Sequence, residues 1–465
     1  MLKKRRKDYT IDMCNGPILR KMLIFTVPLM CSSVLQLLFN AADIIVVGHF
    51  AGDNSLAAVG SNSALIGLLT NLFVGLSIGS NVLAAKYYGA KDNKKLFKTV
   101  HISILLGVLS GILLTVIGIL GARRILIWMK TPDEVLDLAV TYLRIYFIGM
   151  IGMMIYNFGS AILRAVGDTK RPLYYLTAAG IVNIVLNLFL VVVMKMDVAG
   201  VAIATVISQY ISAYLIIKCL RHEEGGIHLN IHKLKMDKET FAEILKIGLP
   251  AGFQGILFSL SNVIIQSSIN SFGATIMAGN SAAANVEQFV YFAMNSFYQS
   301  TISFTSQNMG AGNYKRISKI LLTGQMCVIF VGVVFGNLVL FFGHTLLEMY
   351  TSSEEVIQDG MIRLGIVSRT YALCGIMDVM VGALRGIGYS VLPMVVSLIG
   401  ACGLRLVWLA TIFQIDRFHT VQTVYISYPI TWIITVVVHI ICFIWAMKKL
   451  MKEHQHDEVN LQRAL

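Results

Sequence analysis

The sequence predicts an all-α integral membrane protein of twelve transmembrane helices, arranged as two repeat-related bundles of six. Three observations predict this fold class. Hydrophobic residues make up 56% of the 465 residues and charged residues only 14%, which is too little polar surface for a soluble domain of this length. Apolar stretches of about 20 residues, long enough to cross a bilayer, recur twelve times. The motifs of the first half also return in the second half.

The repeat has a spacing of about 221 residues. Arg164 and Pro172 in the first half correspond to Arg385 and Pro393 in the second, and a Leu-Arg pair followed by a glycine stands at both places. Duplicated halves in a membrane chain favour a transporter, because a site at the seam between repeats can open to either side of the membrane.

The predicted helices alternate with short polar loops. They cover residues 17–48, 55–86, 98–120, 136–163, 171–194, 199–219, 242–270, 276–307, 318–343, 360–384, 391–413 and 422–447. Pro28 and Pro250 lie in the first and seventh helices at corresponding repeat positions. Since proline removes a helical hydrogen bond, we predict that these two prolines are hinges.

The distribution of basic residues predicts the topology. With the amino terminus inside, 29 of the 38 Lys and Arg residues lie on the inner side, beginning with the run Lys3 to Lys7. We therefore expect both termini to face the cytoplasm of a cell that carries the protein in its plasma membrane. The expected domains are a first lobe at 1–221, a cytoplasmic linker at 222–241 that lets the lobes move separately, and a second lobe at 242–465.

Several function classes are disfavoured by the sequence. The formal charge of +13 is spread over short loops, where it suits contact with anionic lipid and not with nucleic acid. No GxxxxGK[ST] loop supports nucleotide-driven transport, and the histidines share no catalytic spacing with acids, so we expect no enzyme and no catalytic residue. The seven cysteines are odd in number and form no CxxC, so we expect neither a disulfide framework nor a metal site.

A polar cluster is predicted in the first half. Gln36, Asn40 and Asp43 share one face of the first helix, and Asn183 and Asn187 are stacked on the fifth. Helix rise places Asp43, Asn187 and Thr205 at a common depth of roughly 8 to 9 Å below the outer surface. Burial favours the protonated form of a carboxylate, which can lose its proton when water or a cation arrives. The alternative is a structural acid locked to neighbouring amides.

A second charged cluster is predicted in the second half. Glu287, Arg369 and Arg405 lie at similar depths on the eighth, tenth and eleventh helices. Because buried charges in a membrane require partners, we predict that Glu287 pairs with Arg405, Arg369 or both. A permanent structural contact between helices and a role in ion or substrate movement both remain open.

The sequence resembles the multidrug and toxic compound extrusion (MATE) family, and within it the DinF-like branch. The resemblance is carried by motifs in both halves: Asn40-Ala-Ala-Asp43, Tyr88-Gly89-Ala90, Leu163-Arg164-Ala-Val-Gly167, Gln307-Asn308-Met-Gly310-Ala311 and Leu384-Arg385-Gly-Ile-Gly388. It implies two six-helix lobes around a central cleft and the export of organic, often cationic, compounds in exchange for protons or sodium ions.

The resemblance also implies that the residues matching Asp43, Asn183, Asn187 and Thr205 form an ion-linked polar network. This sequence departs from some relatives, which have a second carboxylate where it has Asn187. A single acid favours exchange of one proton and weakens the case for sodium. We expect a monomer that needs no cofactor beyond the coupling ion.

Two alternative functions are weighed against export. A flippase for lipid-linked saccharides would need a strongly cationic cleft, and the inward candidates are only Arg369 and Arg405. An integral-membrane transferase would need clustered His, Asp or Glu in an interfacial loop, and no such cluster is evident. We therefore expect a secondary active exporter of xenobiotic or drug-like compounds.

Overall fold

The computed structural model describes residues 9–464, so the basic run Lys3 to Lys7 lies outside the described residues. We number twelve helices α1 to α12 in chain order. They are α1 Ile18–Phe50, α2 Asp53–Gly89, α3 Asn93–Trp128, α4 Asp133–Ile148 with Met150–Ala165, α5 Lys170–Asn187 with Leu188–Val193, α6 Asp197–His222, α7 Lys238–Asn270, α8 Ala274–Gly310, α9 Tyr314–Phe341, α10 Glu354–Ile366 with Ser368–Thr370 and Ala372–Ile387, α11 Val391–Ser397 with Leu398–Gly403 and Leu404–Ala410, and α12 Val421–Ala464.

Most of these helices are long and apolar enough to cross a membrane. Nine of them pass that test alone within the described residues, and α4 and α10 each pass it as a bent pair of arms. The remaining helix, α8, has 37 residues but a more polar composition, as its many Ser, Thr, Asn and Gln side chains show. The predicted fold class is confirmed: the chain is an all-α, multi-pass membrane protein whose twelve helices lie in the predicted order.

The backbone repeats as the sequence does. The helices α1 and α7 both have 33 residues, and α2 and α8 both have 37. Left-handed backbone conformations recur 221 residues apart, at Gly52 (φ 86°) and Gly273 (φ 105°), and again at Gly167 (φ 93°) and Gly388 (φ 111°). Glycine adopts this conformation without the steric cost of a Cβ atom. The glycines of the repeated motifs therefore mark equivalent loops.

The two halves also share irregular helices. The arms of α4 meet at a 45° bend and those of α10 at a 43° bend. Both α5 and α11 contain a π-helical segment, Leu188–Val193 and Leu398–Gly403. Such segments are rare and are found frequently at functional sites.

The chain forms two compact units. Unit 1 comprises residues 9–13 and 23–253, and unit 2 comprises residues 14–22 and 254–464. In unit 1, α3 packs on α4, and the bent α4 packs on α6. In unit 2, α10 packs on α8 and α9. Each unit has its own apolar clusters, with Phe147 and Phe158 fully buried in unit 1 and Tyr425 and Trp432 buried in unit 2.

The expected linker at 222–241 packs against unit 1. Ile227 and Leu229 are buried in the apolar cluster that also contains α3 residues, and the His101 ring contacts the carbonyl of Asn230 at 3.1 Å. Just beyond, Lys98 forms an ion pair with Asp237 at 2.7 Å. The expected lobe boundaries and the freedom of the lobes to move separately stay predictions.

Candidate ion-coupling site

The polar network of unit 1 forms around Asp43 of α1. Asn187 Nδ2 donates a hydrogen bond to Asp43 Oδ1 and a second one, of 3.3 Å, to Asn183 Oδ1. Asn183 Nδ2 contacts Thr205 Oγ1 at 3.4 Å, and Thr205 Oγ1 lies 3.5 Å from Asp43 Oδ2. The Thr205 hydroxyl also reaches the Val201 carbonyl at 3.0 Å, so Asn187 is the stronger partner of the acid. The structure thus brings together the three residues predicted at this depth, Asp43, Asn187 and Thr205, and also Asn183.

A close approach of α1 and α5 positions this network. A Cβ atom added at Gly180 would lie 1.9 Å from the ring of Phe39, which shows that the ring packs directly on the α5 backbone. Gly180, Asn183 and Asn187 follow one another at three- and four-residue spacing, and Asp43 lies one turn after Phe39. The same helix faces that pack at Gly180 therefore bring the amides to the acid.

Two tyrosines that the sequence reasoning missed also face the acid. Asp43 acts electrostatically on both Tyr142 and Tyr146 of α4, whose rings stack 5.8 Å apart. Gln209 of α6 lies near Tyr146 and acts on it electrostatically. The four-residue spacing of the two tyrosines on one helix face is the feature that could have predicted them.

The glycine between the two arms of α4 packs closely against α6. A Cβ atom at Gly149 would lie 2.0 Å from Gln209 Oε1. Any larger side chain at this position would therefore displace Gln209, which lies near Tyr146.

Gln36 and Asn40 do not join the network. Both side chains are exposed, and in the part of the chain that the structure describes neither hydrogen-bonds Asp43, whose partners are Asn187 and Thr205. Their predicted role in ion coupling or substrate binding stays a prediction. Helical spacing places residues on one side of α1 but does not fix the direction in which that side points.

The partners of Asp43 are all neutral. Among the residues whose side chains the structure describes, which are 9–455 except 53, 61 and 64, no Lys, Arg or His forms an ion pair with this carboxylate. Its hydrogen-bond partners are an amide and a hydroxyl. An acid held in this way can be neutralised by a proton or by a small cation without breaking an ion pair first.

The charged cluster of unit 2 differs from its prediction. Glu287 of α8 pairs with Arg363 of α10: Arg363 Nη2 and Nε donate to Glu287 Oε2 at 2.7 and 3.1 Å. Arg363 Nη1 donates to Asn280 at 2.7 Å, and Ser368 Oγ donates to Glu287 Oε1 at 3.1 Å. The prediction that Glu287 pairs with Arg405 or Arg369 is therefore wrong.

The break in α10 explains why Glu287 pairs with Arg363 and not with Arg369. A 3₁₀ segment, Ser368–Thr370, separates the two arms, so the buried face of the first arm carries Arg363 while Arg369 is exposed. Arg405 is buried on α11, where its Nη2 donates to Thr431 at 3.1 Å and its guanidinium lies 3.9 Å from the ring centre of Tyr428.

A third acid, Asp378, lies on the second arm of α10. It is partly exposed and acts electrostatically on Arg385 and Tyr291. Arg385 donates hydrogen bonds to Tyr298 and, at 2.7 Å, to Gln254. The arginine of the repeated Leu-Arg motif thus fixes side chains of α8 and α7 within unit 2.

The hinge candidates lie inside continuous helices. Pro28 is within α1 and Pro250 within α7. The Pro28 carbonyl accepts a hydrogen bond of 2.9 Å from Ser32 Oγ. Their role as hinges stays a prediction.

The chain is similar to proteins named as multidrug transporters. A probable multidrug resistance protein, YoeA of Bacillus subtilis (strain 168), is 28% identical over 93% of this chain and 95% of its own length. The multidrug export protein MepA of Staphylococcus aureus (strain NCTC 8325 / PS 47) is 22% identical over 80% of this chain and 83% of its own.

Solved structures share the fold. A MATE protein in complex with MaL6 matches with a TM-score of 0.87 and 21% identity, covering 95% of this chain and 98% of that chain. A transporter of the MOP superfamily from Pyrococcus furiosus, described by a reverse polarity of its binding pocket that suggests a different function, matches with a TM-score of 0.87 and 21% identity over 94% and 97% of the two chains. The model of the MatE family matches residues 28–189 and 250–410, one stretch in each half. The chain is therefore a member of the MatE family of membrane transporters.

Proposed function

We propose that this protein is a secondary active exporter of organic, cationic or amphiphilic, drug-like compounds that exchanges its cargo for protons or sodium ions. The observation that carries the proposal is the partner set of Asp43, an acid at membrane depth held by Asn187 and Thr205 and by no cation among the described residues. The names of YoeA and MepA support drug-like cargo.

Asp43 is the ion-coupling group in this scheme. With a proton or sodium ion bound, the site is neutral and the amide network closes around it. When the ion leaves, the charged carboxylate attracts a cationic cargo or reorganises the amides that bind it. Ion and cargo thereby favour different conformations, and alternating access of the two lobes to the two sides of the membrane couples their fluxes.

The remaining parts of the proposal follow from topology. We place the protein in the cell membrane with both termini in the cytoplasm, because the inner loops then hold most Lys and Arg residues. Membrane lipid and the small-molecule cargo are its partners, it works as a monomer, and it requires no cofactor besides the coupling ion. Pro28 and Pro250 are the proposed hinges of the motion.

The proposal is tested with purified protein in sealed vesicles. Proton and sodium gradients are imposed separately, and efflux of a cationic dye is followed for the parent and for Asp43→Asn. The variant keeps the side-chain size but removes the exchangeable charge, so gradient-driven efflux should fall to the level of empty vesicles. Parental efflux by Asp43→Asn would overturn the coupling assignment.

Asp137→Asn is the matched control. Asp137 is an exposed acid of α4 in the same unit and pairs with Arg123 at the surface. It should leave efflux unchanged, which separates the loss of one specific acid from a general effect of lowered negative charge. Comparing the two imposed gradients identifies the coupling ion.

The flippase alternative is tested in the same vesicles. A fluorescent lipid-linked saccharide replaces the dye, and its accessibility to a quencher on each side is measured. Asp43-dependent movement of the lipid without dye efflux would favour the flippase. The neutral surroundings of Asp43 favour the exporter, since an anionic saccharide carrier gains nothing from an acid in the first unit.

A further inference from the structure

Among the described side chains of unit 2, three buried arginines, Arg363, Arg385 and Arg405, have only two nearby acids, Glu287 and Asp378. Both carboxylate oxygens of Glu287 already have partners. One accepts from Nε and Nη2 of Arg363, and the other accepts from Ser368. Arg405 is 3% exposed and forms no ion pair with any carboxylate whose side chain the structure describes. Its strongest electrostatic neighbours are Tyr428, Cys402, Cys374 and Arg363.

The other acid of α10 does not supply the missing charge. Asp378 acts on Arg385, seven residues further along the same helix. A buried cation without a counter-ion is costly in a membrane interior, so the excess charge at Arg405 requires an explanation.

Aromatic rings cover the faces of Arg405 but leave its edge unsatisfied. The guanidinium carbon lies 3.9 Å from the ring centre of Tyr428 and 6.0 Å from that of Trp432. Cation–π contacts offset part of the desolvation cost of the guanidinium. At the edge, Nη2 donates to Thr431, whereas the buried Nε hydrogen has no protein acceptor.

The same cluster holds a second unsatisfied donor. Arg363 lies 5.7 Å from the ring centres of both Tyr425 and Tyr428, so the two guanidiniums share the Tyr428 ring. The buried hydroxyl of Tyr425 has no partner among the described groups. The cluster therefore holds two guanidiniums, one carboxylate and two donors without an acceptor. One further negative charge would neutralise it.

We propose that Arg405, with Thr431 and the aromatic side chains Tyr428 and Trp432, forms a binding site for a small anion, either a halide such as chloride or the carboxylate of a small organic acid. The anion binds in the guanidinium plane at the Nε edge, where a fork of N–H donors matches it. It neutralises the excess charge between α11 and α12. This site is independent of Asp43 and of the proposed ion exchange.

The test uses the full-length protein in detergent and measures its unfolding midpoint at constant ionic strength. Chloride, bromide or acetate replaces isethionate, a larger anion used as the reference. Because an anion that binds only the folded state stabilises it by mass action, chloride should raise the midpoint by roughly 2 to 5 °C in the parent. A shift with acetate but not with chloride would identify a carboxylate as the natural occupant.

Two variants locate the effect. Arg405→Gln should abolish the anion-dependent shift, whereas Arg144→Gln, which removes an exposed arginine of α4, should retain it. No shift in the parent, or an equal shift in Arg405→Gln, overturns the proposal. Bromide anomalous scattering at the Arg405 edge would show the occupant directly.

Should Arg405→Gln fail to fold, Arg405→Lys keeps the charge but loses the planar fork. The chloride concentration for half the midpoint shift should then rise by about tenfold. An unchanged concentration in Arg405→Lys would show that the anion binds elsewhere.

Discussion

The acids of the two units are held in opposite ways. Asp43 in unit 1 is bound by an amide and a hydroxyl, whereas Glu287 in unit 2 is bound by a guanidinium through two nitrogens. A neutral partner leaves the acid free to exchange a proton or cation. A guanidinium partner fixes its charge permanently. Burial alone therefore does not make an acid a candidate for ion exchange, because a guanidinium partner already neutralises its charge.

We expect the largest loss of stability from removing the charge of Glu287. Glu287→Gln leaves the buried Arg363 without a counter-ion, and breaking a buried pair from one side costs about 3 to 5 kcal/mol. We expect a strongly lowered unfolding midpoint, or little folded protein after detergent extraction, measured by intrinsic fluorescence and size-exclusion chromatography. Asp43→Asn is the control and should change the midpoint little, because its partners are neutral.

The double variant Glu287→Leu with Arg363→Met tests whether the unpaired charge of Arg363 causes the loss of stability. With both charges gone, no uncompensated charge remains, so most of the lost stability should return. If Glu287→Gln unfolds at the parental temperature, the pair does not stabilise unit 2, and the statement that Arg363 fixes the charge of Glu287 is contradicted.

The second prediction concerns the amide partner of Asp43. Asn187→Leu removes the principal donor to the carboxylate, and an unsatisfied buried acceptor costs about 1 to 3 kcal/mol. We expect gradient-driven efflux to fall by about tenfold or more, since 1.4 kcal/mol corresponds to a factor of ten. Vesicle efflux at saturating dye measures the change.

Thr205→Val is the comparison variant for Asn187→Leu. The Thr205 hydroxyl has a nearer acceptor at Val201 than at Asp43, so its loss should reduce efflux less than Asn187→Leu. The reverse order would show that Thr205 is the main partner during transport.

The sequence alone predicted much of the unit 1 site. Helix rise placed Asp43, Asn187 and Thr205 at one depth, and the structure joins them by hydrogen bonds. This worked because the helices around the site stay regular up to Asn187, where the π segment begins. The exposed side chain of Gln36 makes no hydrogen bond to Asp43, because helical spacing does not specify which residues of other helices lie opposite.

The unit 2 site was predicted less well because α10 is irregular. Helix depth gave Arg405, Arg369 or both as the partners of Glu287. The 3₁₀ segment and the 43° bend of α10 leave Arg369 exposed, and Arg405 contacts Thr431 and Tyr428. Arg363 lies near the start of the helix predicted at 360–384 and was not among the predicted partners of Glu287. The twelve helices themselves were predictable because apolar length is a strong constraint in a bilayer.

The third prediction tests the close approach that forms the unit 1 site. Gly180→Ala places a Cβ atom into the ring of Phe39, and such overpacking costs about 1 to 3 kcal/mol. We expect a lowered unfolding midpoint and slower efflux, because α1 must move away from α5 and carry Asp43 with it. Adding Phe39→Leu should restore part of both.

Gly67→Ala is the matched control for this prediction. It adds the same methyl group to a helix of the same unit, where no atom lies within 4 Å of the new Cβ. Equal effects of Gly67→Ala and Gly180→Ala would show that the change acts through helix flexibility and not through the contact with Phe39.

We expect the smallest effect on stability at the surface ion pair Lys98–Asp237, because solvent screens an exposed pair. The hydrogen bond from Lys98, followed by those from Thr240, lowers the pKa of Asp237 to about 2 from an ordinary 3.8. A lowered pKa in the folded state means that the stabilisation is fully present above pH 3.8 and is lost as the pH falls through about 2. Exposed pairs contribute little, so Asp237→Asn should speed pepsin cleavage of the linker at 222–241 by less than about fivefold at pH 4.

The pH dependence separates this pair from the buried sites. At pH 2 the parent has lost much of the pair, so its cleavage rate should approach that of Asp237→Asn, and added salt at pH 4 should have the same effect. Mass spectrometry of the peptides locates the cuts. A difference between parent and variant that persists at pH 2 would mean that Asp237 holds the linker through its hydrogen bonds to Thr240 and not through its charge.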